Sequence, residues 1–154
     1  MKPELAKNNI LKESLKQVTI RQVTWQAAEN ELREVRTPVF IEEQFVTPEF
    51  EWDKIDADAL HLLATFESQP IACLRIIHHQ KIGRMAVLKP WRSRGLGAAL
   101  LQEAIEICKK EGGKYIRLSA QTHAIDFYVK AGFKKISDEY CDVDIPHVDM
   151  QLDF

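Results

Sequence analysis

Ile82-Gly83-Arg84-Met85-Ala86-Val87-Leu88, then Lys89-Pro90-Trp91, then Arg92-Ser93-Arg94-Gly95-Leu96-Gly97-Ala98 is the stretch whose reading decides the fold. Its first part reads as a strand, its middle as a break, and its end as the mouth of a helix over 96–111. That helix carries an apolar stripe of Leu96, Leu100, Ala104, Ile107 and Cys108. Lys109 and Lys110 sit in its last turn, where cations complement the helix dipole, and Gly112-Gly113 stops it. A Gly-rich turn between a strand and a helix N-terminus makes an anion site, because unpaired N–H groups converge there and the dipole is positive. Gly95 and Gly97 let the backbone bend and approach a ligand, and Arg92 and Arg94 add multidentate cationic donors. The P-loop pattern is absent, and Leu100 stands where a dinucleotide fingerprint needs its third glycine. A bare Gly-x-Gly is often only a turn; its place after a strand and behind Arg92 is what sharpens it.

Upstream of this turn, three strands are expected: 59–66, 71–77 and 82–88. Short polar connections at 67–70 and 78–81 suit antiparallel hairpins. Before them, residues 18–23 read as a strand. An amphipathic helix follows from Trp25, with Ala28, Leu32, Val35 and Val39 at helical spacing. Pro38 interrupts it, and Thr37 is placed to cap a second short helix. Residues 42–58 form an irregular acidic stretch: Glu42, Glu43, Glu49, Glu51, Asp53, Asp56 and Asp58 against a lone Lys54. Downstream come a strand at 115–120, a short helix from Thr122 to Gly132 and extended chain at 133–137. A final strand alternates Val148, Met150, Leu152 and Phe154 against Asp149, Gln151 and Asp153. The sum is one mixed α/β domain over 18–154, an antiparallel meander feeding a strand–helix–strand unit, behind a charged extension at 1–17.

Composition narrows the function. The chain has 154 residues, 45% hydrophobic and 29% charged, which fits one soluble domain with a real core. A net charge of -2 argues against nucleic acid or an anionic membrane as partner. No apolar run is long enough to span a bilayer, and residues 1–16 lack a signal peptide's apolar stretch. Cys73, Cys108 and Cys141 are scattered and odd in number, so no disulfide framework or metal site is expected, and free thiols fit a reducing cytoplasm.

Arg92-x-x-Gly95-x-Gly97-Ala98 resembles the pyrophosphate motif of the GNAT acyl-CoA N-acyltransferases, a family of acetyltransferases. The segment from Ala120-Gln121-Thr122-His123 through Asp126-Phe127-Tyr128 to Gly132-Phe133 resembles that family's second signature. Val39-Phe40, Glu43-Gln44, Asp53, Asp56, His61 and the run Ile145-Pro146-His147-Val148-Asp149-Met150 look like the ElaA/YjcF-like subgroup. The likeness runs from Val18 to Phe154 and implies a GNAT fold: a mostly antiparallel sheet, a βαβ CoA-binding unit and flanking helices. It further implies that Met85, Ala86 and Val87 meet the pantetheine arm and thioester of acetyl-CoA. The pyrophosphate is expected on Arg92, Ser93, Arg94, Gly95, Leu96, Gly97 and Ala98, with Gln121 and Phe127 adding cofactor contacts. Gln121 stands where the family usually has Asn. The strand ending at Leu88 is expected to splay from the strand at 115–120, leaving a wedge for CoA.

Acetyl transfer to an amine needs a neutral nucleophile, a donor for the developing oxyanion and a proton for the leaving thiolate. A lysine-like amine is only about one part in 10³ neutral near pH 7, so a base is useful. The expected donor is a main-chain N–H near Val87, and the resemblance makes Tyr128 the general acid. An aromatic there also suits core packing, since Ala124, Phe127, Tyr128 and Ala131 share a helical face. The strand at 82–88 has no carboxylate, leaving His123, His147, His61 and Glu43 as base candidates. Glu43, Trp52 and His61 are the expected acceptor-side residues, and residues 42–58 are read either as an acidic lip attracting a cationic amine or as a solvated loop. A homodimer through exposed strand edges is compatible with the pattern. The alternative function is a non-catalytic acyl-CoA sensor or interaction module on the same fold, which turnover with amines would separate from an enzyme.

Overall fold

The computed structural model describes residues 15–154. Most of the extension expected at 1–17 therefore lies outside the described residues. The elements in chain order are β1 (Thr19–Thr24), α1 (Trp25–Arg36), α2 (Pro48–Glu51), β2 (Leu60–Phe66), β3 (Gln69–Ile77), β4 (Lys81–Val87), α3 (Leu96–Lys110), β5 (Tyr115–Gln121), α4 (Ile125–Lys130), β6 (Lys134–Lys135), β7 (Tyr140–Asp142) and β8 (Ile145–Asp153). Their strands form one sheet in the order β1-β2-β3-β4-β5-β8-β6, with β7 paired on β8 as well.

β1 to β4 make the expected antiparallel meander. Its hairpins turn through left-handed residues, Glu67 and Ser68 in one and His78 and His79 in the other. β3 is buried continuously from Pro70 to Ile76 because both sheet faces are covered. On one face α1 lays Ala28, Leu32 and Val35 against Leu63, Cys73 and Ala86. On the other, α3 packs Leu96, Leu100, Leu101, Ala104, Ile105 and Cys108 against Leu62, Leu74, Ile76 and Ile82. The stripe on α3 therefore runs through Leu101 and Ile105, while Ile107 is only partly buried. Truncating a core leucine such as Leu32 or Leu100 to Ala costs about 2–5 kcal/mol.

Two local expectations are corrected. Thr37 does not cap a new helix. Its N–H continues α1 by donating to the Arg33 carbonyl, and the chain then widens into π-type turns over Thr37–Glu43. Pro38 has no N–H to give, and the wider winding carries the chain past it without a break. A sharper distortion sits earlier, at Ala28, whose φ/ψ of -129° and 21° are not helical. The extended segment expected at 133–137 is a strand only at Lys134 and Lys135, paired with Gln151 and Met150, and beyond it Ile136 N–H donates to the Asp149 carbonyl.

The decisive feature lies between β4 and β5. They are parallel, yet paired only through Lys81–Arg117 and Ile82–Leu118. From Gly83 onward the strands diverge, and the sheet opens into a wedge. β4 also bulges there: its register against β3 shifts between Cys73 and Arg75, leaving Arg84 with a left-handed φ of 46°.

Candidate active site

The wedge leads into a cleft of about 450 Å³. Met85 of β4, Ser119 and Gln121 of β5, His123, Phe127 and Tyr128 beyond it, and His147 of β8 all line it.

The Gly-rich turn expected to hold the pyrophosphate opens directly into α3. Gly95 holds φ +87°, a left-handed conformation that a side chain would strain. The first intrahelical bond runs from Ala99 N–H to the Gly95 carbonyl, and no side chain caps α3. The N–H groups of Leu96, Gly97 and Ala98 thus point out of the helix start with its positive dipole behind them. A Cβ at Gly97 would lie 3.5 Å from the Phe127 ring and 4.0 Å from Val87, so the cradle and the wedge meet at this glycine. Leu96 turns its own side chain into the core, so only its main chain belongs to the cradle.

Val87 faces the wedge for a reason of sheet geometry. Leu88 N–H donates to the Ile71 carbonyl, so the neighbouring pair Ala72–Val87 is the non-hydrogen-bonded kind. The N–H and C=O of Val87 therefore point away from β3, toward the side β5 has vacated. The carbonyl accepts from Arg92 Nε at 2.9 Å. Arg92 is engaged further: Nη1 and Nη2 grip Glu43 at 2.8 and 2.9 Å, and this hydrogen bond, against some burial, lowers the Glu43 carboxyl below its ordinary value. Arg92 thus ties the strand end to the π-type segment, and Glu43 is its counterion. Arg94 lies over the Trp91 ring at 4.9 Å. Ser93 is exposed with φ 61°, and Ala86 is buried beneath α1.

Tyr128 sits in the last turns of α4. There the chain closes back on itself, with Gly132 N–H donating to the Val129 carbonyl and Phe133 N–H to that of Tyr128. Its ring meets Phe127 and Phe133 edge-on at 5.0 and 5.8 Å. Burial pushes its hydroxyl up to about 12, and that hydroxyl hydrogen-bonds no described residue. It is a protonated donor beside the cleft.

Two of the candidate histidines reach the cleft, His123 and His147. His123 is exposed on the turn before α4. His147 is nearly buried, stacks on Tyr140 at 6.0 Å, and gives its Nδ1 hydrogen to the Ile145 carbonyl at 2.7 Å. A carbonyl only accepts, so Nδ1 carries a proton, and the tautomer of the neutral ring is the one with its lone pair on Nε2. Tyr140 also bonds Ser119, and its hydroxyl donates to Asp149 at 2.5 Å, which fixes the stacking partner.

His61 and Trp52 do not line the cleft. His61 is buried under α1, where burial pushes its pKa down and its Nε2 donates to the Asp56 carbonyl at 2.9 Å. Trp52 packs with Trp25 at 6.3 Å, beneath the guanidiniums of Arg33 and Arg36. Gln121 donates to Gln44 at 2.8 Å, a bridge between β5 and the loop after the π-type turns.

The acidic stretch is neither lip nor loop in its central part. Arg36 bonds Glu51 through Nε and Asp56 through Nη1, each at 2.7 Å; Arg75 bonds Asp53 at 2.8 Å and Asp56 at 3.2 Å. Arg84 lies 3.4 Å from Glu51 and 3.3 Å from Asp53. Glu51 and Asp56 are buried. Burial raises the Glu51 carboxyl, offset only in part by Arg36 and Arg84. It opposes ionisation of Asp56 too, but hydrogen bonds and charge from Arg36 and Arg75 hold that group below its ordinary value. The sequence signal for this network was Arg75, a charge inside the apolar strand Ile71-Ala72-Cys73-Leu74-Arg75-Ile76-Ile77.

A splayed parallel pair, an uncapped Gly-rich helix start and a half-buried phenol at one cleft define an acyl-CoA-type transferase fold. The family model for the acetyltransferase (GNAT) domain matches residues 14–154. N-acetyltransferase YjcF of Bacillus subtilis (strain 168) is 35% identical over 124 residues, covering 77% of this chain and 88% of that protein. An acyl-CoA N-acyltransferase structure from Pseudomonas aeruginosa superposes with TM-score 0.75 at 32% identity, covering 87% and 97% of the two chains. The crystal structure of Escherichia coli ElaA gives 0.78 at 26% identity over 87% and 98%. The chain belongs to the GNAT acetyltransferase family, whose members use acyl-CoA and an acceptor substrate.

Proposed function

We propose that this protein transfers the acetyl group of acetyl-CoA to a primary amine by direct attack in a ternary complex. The observation that carries this reading is Tyr128, a phenol held protonated beside the wedge, its hydroxyl without a partner among the described residues. Acetyl-CoA supplies the activated acyl group as a thioester. The N–H groups of Leu96, Gly97 and Ala98, with Arg94 nearby, suit its pyrophosphate. Main-chain atoms of Met85 to Val87 border the wedge in which its arm fits, and Phe127 closes the side next to Gly97.

Within the cleft, the outward N–H of Val87 is a prepaid donor for negative charge developing on the acyl oxygen. His147 Nε2 is the base that takes a proton from the attacking amine, its tautomer held by the Ile145 carbonyl. His123, exposed at the rim, is the second group able to relay that proton. Tyr128 gives its hydroxyl proton to the departing sulfur. General acid catalysis is worth about 10²–10⁴-fold, so Tyr128→Phe should lower kcat on that scale when CoA release is followed with a panel of amines. Because the hydroxyl bonds no described residue, melting temperature and CoA affinity should hardly move. Turnover within about threefold of wild type, with chemistry rate-limiting, removes Tyr128 from the acid role.

A further inference from the structure

The ion-pair network beneath the cleft has an imbalance of hydrogen bonds. Its carboxylates are well supplied: Asp56 takes Arg36 and Arg75, Asp53 takes Arg75, Arg84 and the N–H groups of Ile55 and Asp56, and Glu51 takes Arg36. The guanidiniums that reach the cleft are not. Arg75 spends Nη1 on Asp53 and Asp56, while its Nε is buried without a hydrogen bond. Arg84 spends Nη2 on the Phe50 and Glu51 carbonyls and on Asp53; its buried Nε lies 3.4 Å from Glu51 Oε2 without a hydrogen bond, and Nη1 bonds no described residue. Both arginines line the cleft, together with Lys81. The acids that line it are Glu51, already paired with Arg36, and Asp142 on the β7 hairpin. Arg84 Nη1 is thus an uncommitted donor on a side chain that lines the space where an acceptor must enter, and a guanidinium can only donate.

Arg84 is also where the backbone is strained. Its φ of 46° is rare for a residue with a side chain, and such strain persists where the surroundings over-determine it, as at ligand clamps. The bulge places Arg84 directly before Met85, at the edge of the wedge.

We propose that Arg84, backed by Arg75, binds a carboxylate on the acceptor, so that the substrate class is a primary amine that also carries a carboxylate. The carboxylates of residues 51–56 serve to aim these arginines rather than to attract a cation. Partly buried charge-assisted bonds of this kind discriminate strongly, because an acceptor without the carboxylate leaves them unpaired. Phe40, Phe50 and Val143 line the same cleft, which favours acceptors with an apolar side chain.

This proposal rests on the acyl-transfer reading, and the experiment separates the two. CoA release from acetyl-CoA is measured with matched pairs: leucine against leucinamide and isoamylamine, phenylalanine against phenylalaninamide and phenethylamine. Binding of each compound to the CoA-loaded protein is measured in parallel by calorimetry. Wild type should favour the carboxylates, in kcat/KM or in affinity, by about 10- to 100-fold. Arg84→Met should abolish that preference, Arg84→Lys should retain part of it, and the thermal shift caused by CoA alone should persist in both. A wild type that prefers the neutral partners, that shows no preference, or that neither binds nor acetylates any carboxylate in the panel overturns the proposal. So does an Arg84→Met protein that keeps the preference. Should Arg84→Met fail to fold, the wild-type comparison and Arg84→Lys still decide. The acyl-transfer reading fails by a different result: no thermal shift with CoA, and no CoA release with any amine.

Discussion

Replacing Arg36 by Met should cost as much stability as truncating a fully buried leucine. The side chain is buried and makes four hydrogen bonds, to Glu51 Oε1, the Glu51 carbonyl and both Asp56 oxygens, at 2.7 to 3.2 Å. Met fills much of the same volume, so the loss is electrostatic: two carboxylates stay buried with their principal counterion gone. Breaking a buried pair from one side costs about 3–5 kcal/mol, against a total stability of about 5–15 kcal/mol for a typical domain. For a domain of this size each kcal/mol is worth about 2–4 °C, so the melting temperature should fall by about 6–20 °C. The pH dependence supplies a signature. In wild type the Asp56 carboxyl is held below its ordinary value, so its contribution is present above the unfolded-state pKa and is lost as pH falls through the lower folded value. Without Arg36, burial dominates and the carboxyl rises, so the variant is penalised most near neutrality. The gap to wild type should therefore narrow as pH drops from about 7 toward about 4. Arg33→Met, whose partner Glu29 is half-exposed, is the control and should cost less than about 1 kcal/mol. Thermal and urea melts across pH measure all of this. A loss under about 1 kcal/mol for Arg36→Met, or a gap that widens on acidification, would refute the account of the network.

Three further outcomes are expected. Millimolar CoA should raise the melting temperature by mass action, and Gly95→Ala, strained at φ +87°, should both lower the unliganded melting temperature and weaken that shift in differential scanning fluorimetry. Glu49→Lys changes an exposed residue and should stay within about 0.5 kcal/mol, whereas Glu51→Lys places a cation against Arg36 and Arg84 and should unfold the protein or nearly so; equal effects in urea melts would return both to the surface. His147→Gln should lower kcat by about 10²–10⁴-fold in the acetyl-transfer assay while leaving CoA affinity intact, and turnover like wild type would assign the base elsewhere.

Much of this protein follows from local sequence. The Gly95–Gly97 turn, the stripe on α3, the hairpins of β2 to β4 and the alternation along β8 were legible because each depends on backbone conformation and on neighbours within a few positions. The position of Tyr128 beside the cleft was legible because a motif of contiguous residues carries it. The fate of residues 42–58 was not. Seven acids beside one lysine read as a solvated or acidic surface, since nothing in that stretch reveals where their counterions are. Arg36, Arg75 and Arg84 lie in three separate elements, and only the packing of α1, β3 and β4 brings them to Glu51, Asp53 and Asp56. The same holds for the acceptor side: Glu43, Trp52 and His61 differ little from the cleft residues in type, and strand register, the bulge at Arg84 and the winding past Pro38 leave none of the three lining the cleft. Electrostatic pairing in a protein interior depends on distance in space, and distance in space is a property of the assembled tertiary fold.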